Sequence, residues 1–102
     1  MFKIINRKTL LTYIIAYPKA DNALREWYEE FQKLEITLFN ELKSIYENAS
    51  LVKGDRVFFN IKGNKFRLVV RGVFEFKVVQ IKWFGTHAEY DKIDVNTVSF
   101  KK

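Results

Sequence analysis

Cysteine is absent from the sequence, and proline and histidine occur once each. The missing thiols exclude a disulfide framework, thiolate-ligated zinc and a cysteine nucleophile. With His87 as the only imidazole, a metal site would have to be almost wholly carboxylate, and the acidic residues are scattered without ligand spacing. No metal and no cofactor are therefore expected. Glycine numbers only 4, which excludes collagen-like sequence, and Gly63 with Asn64 reads as a hairpin turn rather than a phosphate loop. The serines have neither an elbow motif nor a partnered base, so a hydrolase triad has no support. No apolar run approaches the roughly 18 residues of a spanning helix. The apolar stretch Thr9–Tyr17 follows basic residues as in an export leader, but Pro18 and Lys19 stand where a small-residue cleavage site belongs. A cytoplasmic location without a membrane partner is expected.

What the chain does have is apolar and aromatic mass, 48% hydrophobic and 17% aromatic residues in 102. That suffices for one compact domain, so residues 1–102 are read as a single domain and disorder is excluded as the main state. The net charge of +6 is unevenly placed. Residues 1–51 hold seven cationic and seven acidic residues, whereas residues 52–102 hold eleven against five. The second half therefore suggests a polyanionic partner, nucleic acid or an acidic protein.

Phe2–Asn6 is short and partly β-branched and reads as an edge strand. Leu10, Leu11, Ile14 and Tyr17 recur at helical spacing, which predicts a first helix from about Arg7 until Pro18 ends it. Asp21 or Asn22 is placed to cap a second helix, whose Leu24, Trp27, Tyr28, Phe31 and Leu34 oppose Arg25, Glu26, Glu29, Glu30 and Lys33. Thr37 is placed to cap a third stretch, with Leu38, Leu42, Ile45, Tyr46 and Ala49 on one side, running out near Asn48 or Ser50.

After Gly54 the period switches to two: Val57, Phe59 and Ile61 alternate with Arg56, Phe58, Asn60 and Lys62. A two-residue turn at Gly63 and Asn64, with positive φ, pairs Ile61 with Phe66, Phe59 with Leu68 and Val57 with Val70 on an apolar face. The same register sets Lys62 beside Lys65, Asn60 beside Arg67 and Arg56 beside Arg71. A second turn near Glu75 and Phe76 brings Gln80 beside Arg71 and Lys82 beside Val69, while Val79, Ile81 and Trp83 join the apolar face. The helices of the first half must cover that face.

The opposite face then displays Arg56, Asn60, Lys62, Lys65, Arg67, Arg71, Gln80 and Lys82, with Phe58 and Val69 among them. A solvated sheet face is ordinary, but six cations with no carboxylate before Glu75 is not the mixed-sign surface that solubility favours. Like charges set opposite each other destabilise, and RNA phosphate is the natural ligand to offset them. His87 follows three residues before Tyr90. A His beside a Tyr commonly caps or packs, yet next to an anion site the pair offers proton-transfer groups. A non-catalytic RNA- or ribosome-binding module is the alternative. Such platforms stack bases on aromatic rings, and this face offers only Phe58. A protein that merely pairs with an acidic partner is a third reading.

The run VFFNIKGNKFRLV at 57–69, followed by Ile81 and Lys82 and then by Thr86, His87, Ala88, Glu89, Tyr90, Asp91 and Lys92, resembles the HigB family of toxins. These are ribosome-dependent mRNA interferases of the RelE superfamily, from type II toxin-antitoxin pairs. The resemblance is carried from about Thr37 to Lys92, and the pairing of NxxGNxxR with THxEYD makes it specific. It implies an α+β fold, in which an N-terminal strand and two to three helices pack on one face of a mainly antiparallel sheet of three to four strands. It implies an endoribonuclease that cuts mRNA in the ribosomal A site, silenced by a HigA-type helix-turn-helix antitoxin. By resemblance the catalytic set falls on Arg67, Lys82, His87, Tyr90 and Asp91. Arg56, Asn60, Lys62, Lys65, Arg71 and Gln80 are expected to contact RNA or the ribosome. RNA cleavage without metal uses the substrate's own 2′-OH, so the protein must orient it, move protons and stabilise a phosphorane. Arg67 and Lys82 suit the charge, His87 or Tyr90 the proton transfer, and Asp91 an orienting or capping role.

Overall fold

The computed structural model describes residues 2–5, 7–36, 39–46, 49–53, 55–63 and 65–93. A mixed five-stranded sheet has the spatial order β1-β5-β4-β3-β2, formed by β1 Lys3–Ile5, β2 Ala49–Lys53, β3 Arg56–Ile61, β4 Phe66–Val73 and β5 Val78–Thr86. β1 lies parallel to β5 at one edge, and the other neighbours are antiparallel. Helices α1 Arg7–Ala16, α2 Asp21–Gln32 and α3 Phe39–Ile45 cover one face, and α4 His87–Tyr90 follows directly from the end of β5. The α+β architecture agrees with the sequence reading. The sheet has one strand more than expected and one parallel edge.

The extra strand comes from the end of the third apolar stretch. Ala49 sits three residues after Tyr46, as in a helix, yet it is fully buried as the first residue of β2, opposite Phe59. The β-branched and apolar run beyond it gains a strand partner in β3 that a lone helix end lacks. Thr37, Leu38 and Asn48 lie outside the described residues. Helix α2 begins one residue early: its N-cap is Ala20, which makes no side-chain cap, and Asp21 pairs with Arg25 across one turn. In α1, Leu10 and Ile14 face the core as expected, but Tyr13 and Thr9 accompany them while Leu11 is 37% exposed.

The core is aromatic. Trp27, Phe31 and Phe59 are mutually within 5.1–5.7 Å, centroid to centroid, which joins α2 to β3. Phe2 meets Phe31 at 4.9 Å and ties β1 to the same cluster. Buried rings of this size each remove roughly 150–250 Å² from water. The β3–β4 register is the one the alternation dictates, from Ile61 opposite Phe66 to Arg56 opposite Arg71. Positive φ falls on Lys62 and Gly63 at the turn, and Asn64 lies outside the described residues.

The second hairpin departs from expectation. Arg71 pairs with Gln80 and Val70 with Ile81, as the predicted register requires, but Val69 pairs with Trp83, leaving Lys82 as the extra residue of a β-bulge. A bulge shifts the side-chain alternation by one. Val79 and Ile81 are buried on the apolar face as expected, but beyond the bulge Phe84 enters the core and Trp83 emerges on the opposite face beside Tyr90. Lys82 is not opposite Val69, and Trp83 is not on the apolar face.

Candidate nucleic-acid interface and active site

The face away from the helices is organised in rows across β3, β4 and β5. One row is Arg56, Arg71 and Gln80; the next is Phe58, Val69 and Trp83; the third is Asn60, Arg67 and Gly85. Arg67 and Arg71 are four residues apart on β4, about 13 Å at strand rise.

Arg67 is held on three sides. Its guanidinium carbon lies 4.3 Å from the ring centroid of Phe58 and 4.5 Å from that of Tyr90, and its Nε donates to Asn60 Oδ1 at 3.2 Å. Rings on a guanidinium face are attractive through the ring quadrupole and leave the planar edge for a bidentate anion. The register pair Asn60–Arg67, read from alternation alone, is thus also a hydrogen bond.

Tyr90 reaches Arg67 from α4, a single turn whose closure is explained by its cap. Thr86 Oγ1 accepts from the Glu89 backbone N–H at 3.1 Å, and Glu89 Oε1 accepts from the Thr86 backbone N–H at 2.9 Å. This reciprocal pattern is a capping box, legible as Thr-x-x-Glu. Glu89 Oε1 also accepts from the Tyr17 hydroxyl at 2.8 Å, so the end of α1 braces α4. These bonds hold the Glu89 carboxyl below the usual range, the Thr86 N–H contributing most. Burial, with Glu89 alongside, pushes Tyr17 up to about 12. The His87 backbone N–H donates to Lys65 O at 3.1 Å, which docks α4 on the β3–β4 turn. His87 Nδ1 stands 3.6 Å from Asp91 Oδ2, both side chains being solvent-accessible.

Lys82 belongs to a different group. The bulge sets it beside Arg56 and Arg71, and burial first, then those two cations, lowers its pKa. Arg71 Nε donates to Asp55 Oδ2 at 2.6 Å, so a carboxylate does stand at this face before Glu75 and relieves the Arg56–Arg71 juxtaposition. Lys62 leaves the face altogether, its Nζ donating to Lys19 O at 3.1 Å on the helical side. Phe58, Tyr90, Asn60 and Arg67 are brought together, as are His87 and Asp91; Lys82, Arg56, Arg71 and Gln80 lie toward the other end.

Sequence reasoning missed Trp83, Glu89 and Tyr17. The signal for Trp83 was the doublet Trp83–Phe84 followed by Gly85, which breaks strict alternation. The contact of Tyr17 with Glu89 spans 72 positions and had none. Among the described residues no helix is long and apolar enough to cross a membrane, and no three His, Cys, Asp or Glu side chains gather as a metal site. No individual curated protein matches the chain. The family model that does match, over residues 20–93, is that of the HigB toxin, a RelE-like toxic component of a toxin-antitoxin system, and it takes in Arg67, His87, Tyr90 and Asp91, so the chain belongs to that family.

Proposed function

We propose that this toxin, of a type II pair, is a cytoplasmic endoribonuclease that cuts mRNA in the ribosomal A site by attack of the substrate 2′-OH, without a metal. The observation that carries the reading is Arg67, clasped by Phe58, Tyr90 and Asn60 with its outer edge available to a phosphate. In this mechanism the 2′-oxygen bonds to phosphorus as the bond to the 5′-oxygen breaks. One group takes the 2′-OH proton and another gives a proton to the leaving oxygen, a task for His87 and Tyr90. Asp91, 3.6 Å from His87 Nδ1, orients the imidazole. Arg67 meets the charge that grows on the phosphorane. Lys82, among Arg56 and Arg71, holds a neighbouring phosphate rather than the scissile one. The products are a 2′,3′-cyclic phosphate and a 5′-hydroxyl.

Membership of a toxin-antitoxin family implies an antitoxin partner; a HigA-type helix-turn-helix protein is the form proposed here. The exposed Glu26, Glu29 and Glu30 of α2 make its outer face acidic, which suits a protein better than ribosomal RNA.

The test is inducible expression of the wild type beside Arg67→Ala, His87→Ala and Tyr90→Phe. Growth arrest by the wild type, relieved in each folded variant, is expected; three variants as toxic as the wild type would refute the assignment. The non-catalytic RNA-binding alternative gains from the aromatic residues Trp83 and Tyr90 on the open face, since Phe58 is not alone there. It predicts RNA binding without a cut.

A further inference from the structure

The row between the two cationic ends of the open face is apolar; its Phe58 lies against Arg67, but the proposed chemistry gives Val69 and Trp83 no part. Val69 is fully buried there although its neighbours Leu68 and Val70 are the ones that enter the main core. Its row partners are Phe58 and Trp83, and Tyr90 adjoins both, at 5.4 Å from Phe58 and 6.1 Å from Trp83. Trp83 is only half-buried. Its indole lies over Gly85, where an added Cβ would come within 2.7 Å of the ring atoms Cη2 and Cζ2. The bulge that brings Trp83 out and the glycine that lets its ring lie down act together. The result is a half-exposed aromatic shelf between Arg67 and the group of Arg56, Arg71 and Lys82.

We propose that Trp83 is a base-stacking residue, on which a nucleobase of single-stranded RNA rests while phosphates on either side meet Arg67 and the Lys82 group. This rests on the RNA-cleaving reading and names how the substrate is positioned. The occupant is single-stranded RNA because the cations at both ends call for a polyanion and the ring between them for a planar apolar group. An unpaired strand offers both at once. A duplex hides its base faces, and an acidic protein segment has no obligatory ring at that spacing. The shelf is indifferent to base identity, since every base has a π-face.

The probe is a six-nucleotide RNA with every 2′-OH methylated, which the proposed mechanism does not cut, and the same backbone without bases. Quenching of indole emission reports binding, and Trp27, buried in the core, supplies the unquenched background. The wild type is expected to quench with the base-bearing strand, Trp83→Phe to bind within a few-fold without that quench, and Trp83→Leu to bind about 5- to 150-fold more weakly. Trp83→Leu keeps an apolar cover over Val69; should it fail to fold, Trp83→Met, which fills more of the same space without a ring face, serves in its place. The strand without bases should bind all variants alike. Equal affinity of wild type and Trp83→Leu for the base-bearing strand overturns the proposal, as does failure of the wild type to distinguish the two strands. So does a Trp83 dependence seen only with a protein partner. Quenching as expected with no cut on the ribosome would sink the ribonuclease reading alone, and unimpaired cutting by Trp83→Leu would sink this proposal alone.

Discussion

Glu89→Ala should unlatch α4 while leaving the sheet intact. Four residues form no stable helix alone, so the position of Tyr90 and His87 depends on the contacts that dock this turn. Glu89 Oε1 accepts from Thr86 N–H at 2.9 Å and Tyr17 Oη–H at 2.8 Å. Bonds to a charged acceptor contribute about 1.5–3 kcal/mol when shielded, but Glu89 is exposed, and solvent screening brings each nearer 0.5–1 kcal/mol. Losing both removes about 1–2 kcal/mol, a factor of about 5–30 in the docked-to-undocked ratio. Amide hydrogen exchange reads this directly. The Asp91, Lys92 and Ile93 N–H groups, bonded to His87 O, Glu89 O and Tyr90 O, should exchange about 5–30 times faster, while those of β3–β5 stay as they were. Titration adds a sign. The folded-state carboxyl of Glu89 is held below its unfolded range, so its contribution is complete above that range and is lost as pH falls through the lowered pKa. Acidification should therefore open α4 in the wild type and not in Glu89→Gln. Unchanged exchange in Glu89→Ala, or acceleration spread evenly over the sheet, would refute the view of α4 as a separately latched element.

Arg67→Lys keeps the charge but loses the planar fork and its ring contacts; it should lower cleavage nearly as far as Arg67→Ala, measured as kcat/KM on programmed ribosomes. Binding of short RNA should weaken with salt, with log K falling against log salt at a slope of roughly −1.5 to −3, for two to four phosphate contacts at about −0.7 each; isotherms at several salt concentrations give the slope. The estimate is shallow for six cations because Lys62 turns to Lys19 and Arg71 is engaged by Asp55. Phe59→Ala, at the centre of the aromatic core and 2% exposed, should lower stability by about 3–5 kcal/mol in urea unfolding.

Much of this arrangement was legible because period-two alternation fixes both register and face. Val57 to Ile61 against Phe66 to Val70 admits one pairing that keeps the apolar side dry, and that pairing delivers Asn60 to Arg67. Where alternation fails, face and register are no longer legible. A single extra residue at Lys82 reversed the side on which Trp83 stands, and so hid the aromatic row. Ala49 fits a helix by spacing although it begins β2, because a spacing of three is ambiguous when a helix ends just before a strand. Strict alternation extends the basic face to Lys62, yet at positive φ this residue leaves the strand geometry that assigns faces. The Tyr17–Glu89 brace joins segments with no local relation, which no window along the chain detects.

In the proposed reaction the substrate's own 2′-oxygen is the nucleophile, and removing that oxygen tests it. Ribosomes programmed with mRNA carrying a single 2′-deoxynucleotide just before the cut are compared with all-ribose mRNA, by primer extension and end-group analysis. Deleting one oxygen hardly alters shape but removes the attacking group. The all-ribose message should be cut to a 2′,3′-cyclic phosphate and a 5′-hydroxyl while the deoxy message survives intact. Efficient cutting of the deoxy message at that position would contradict it.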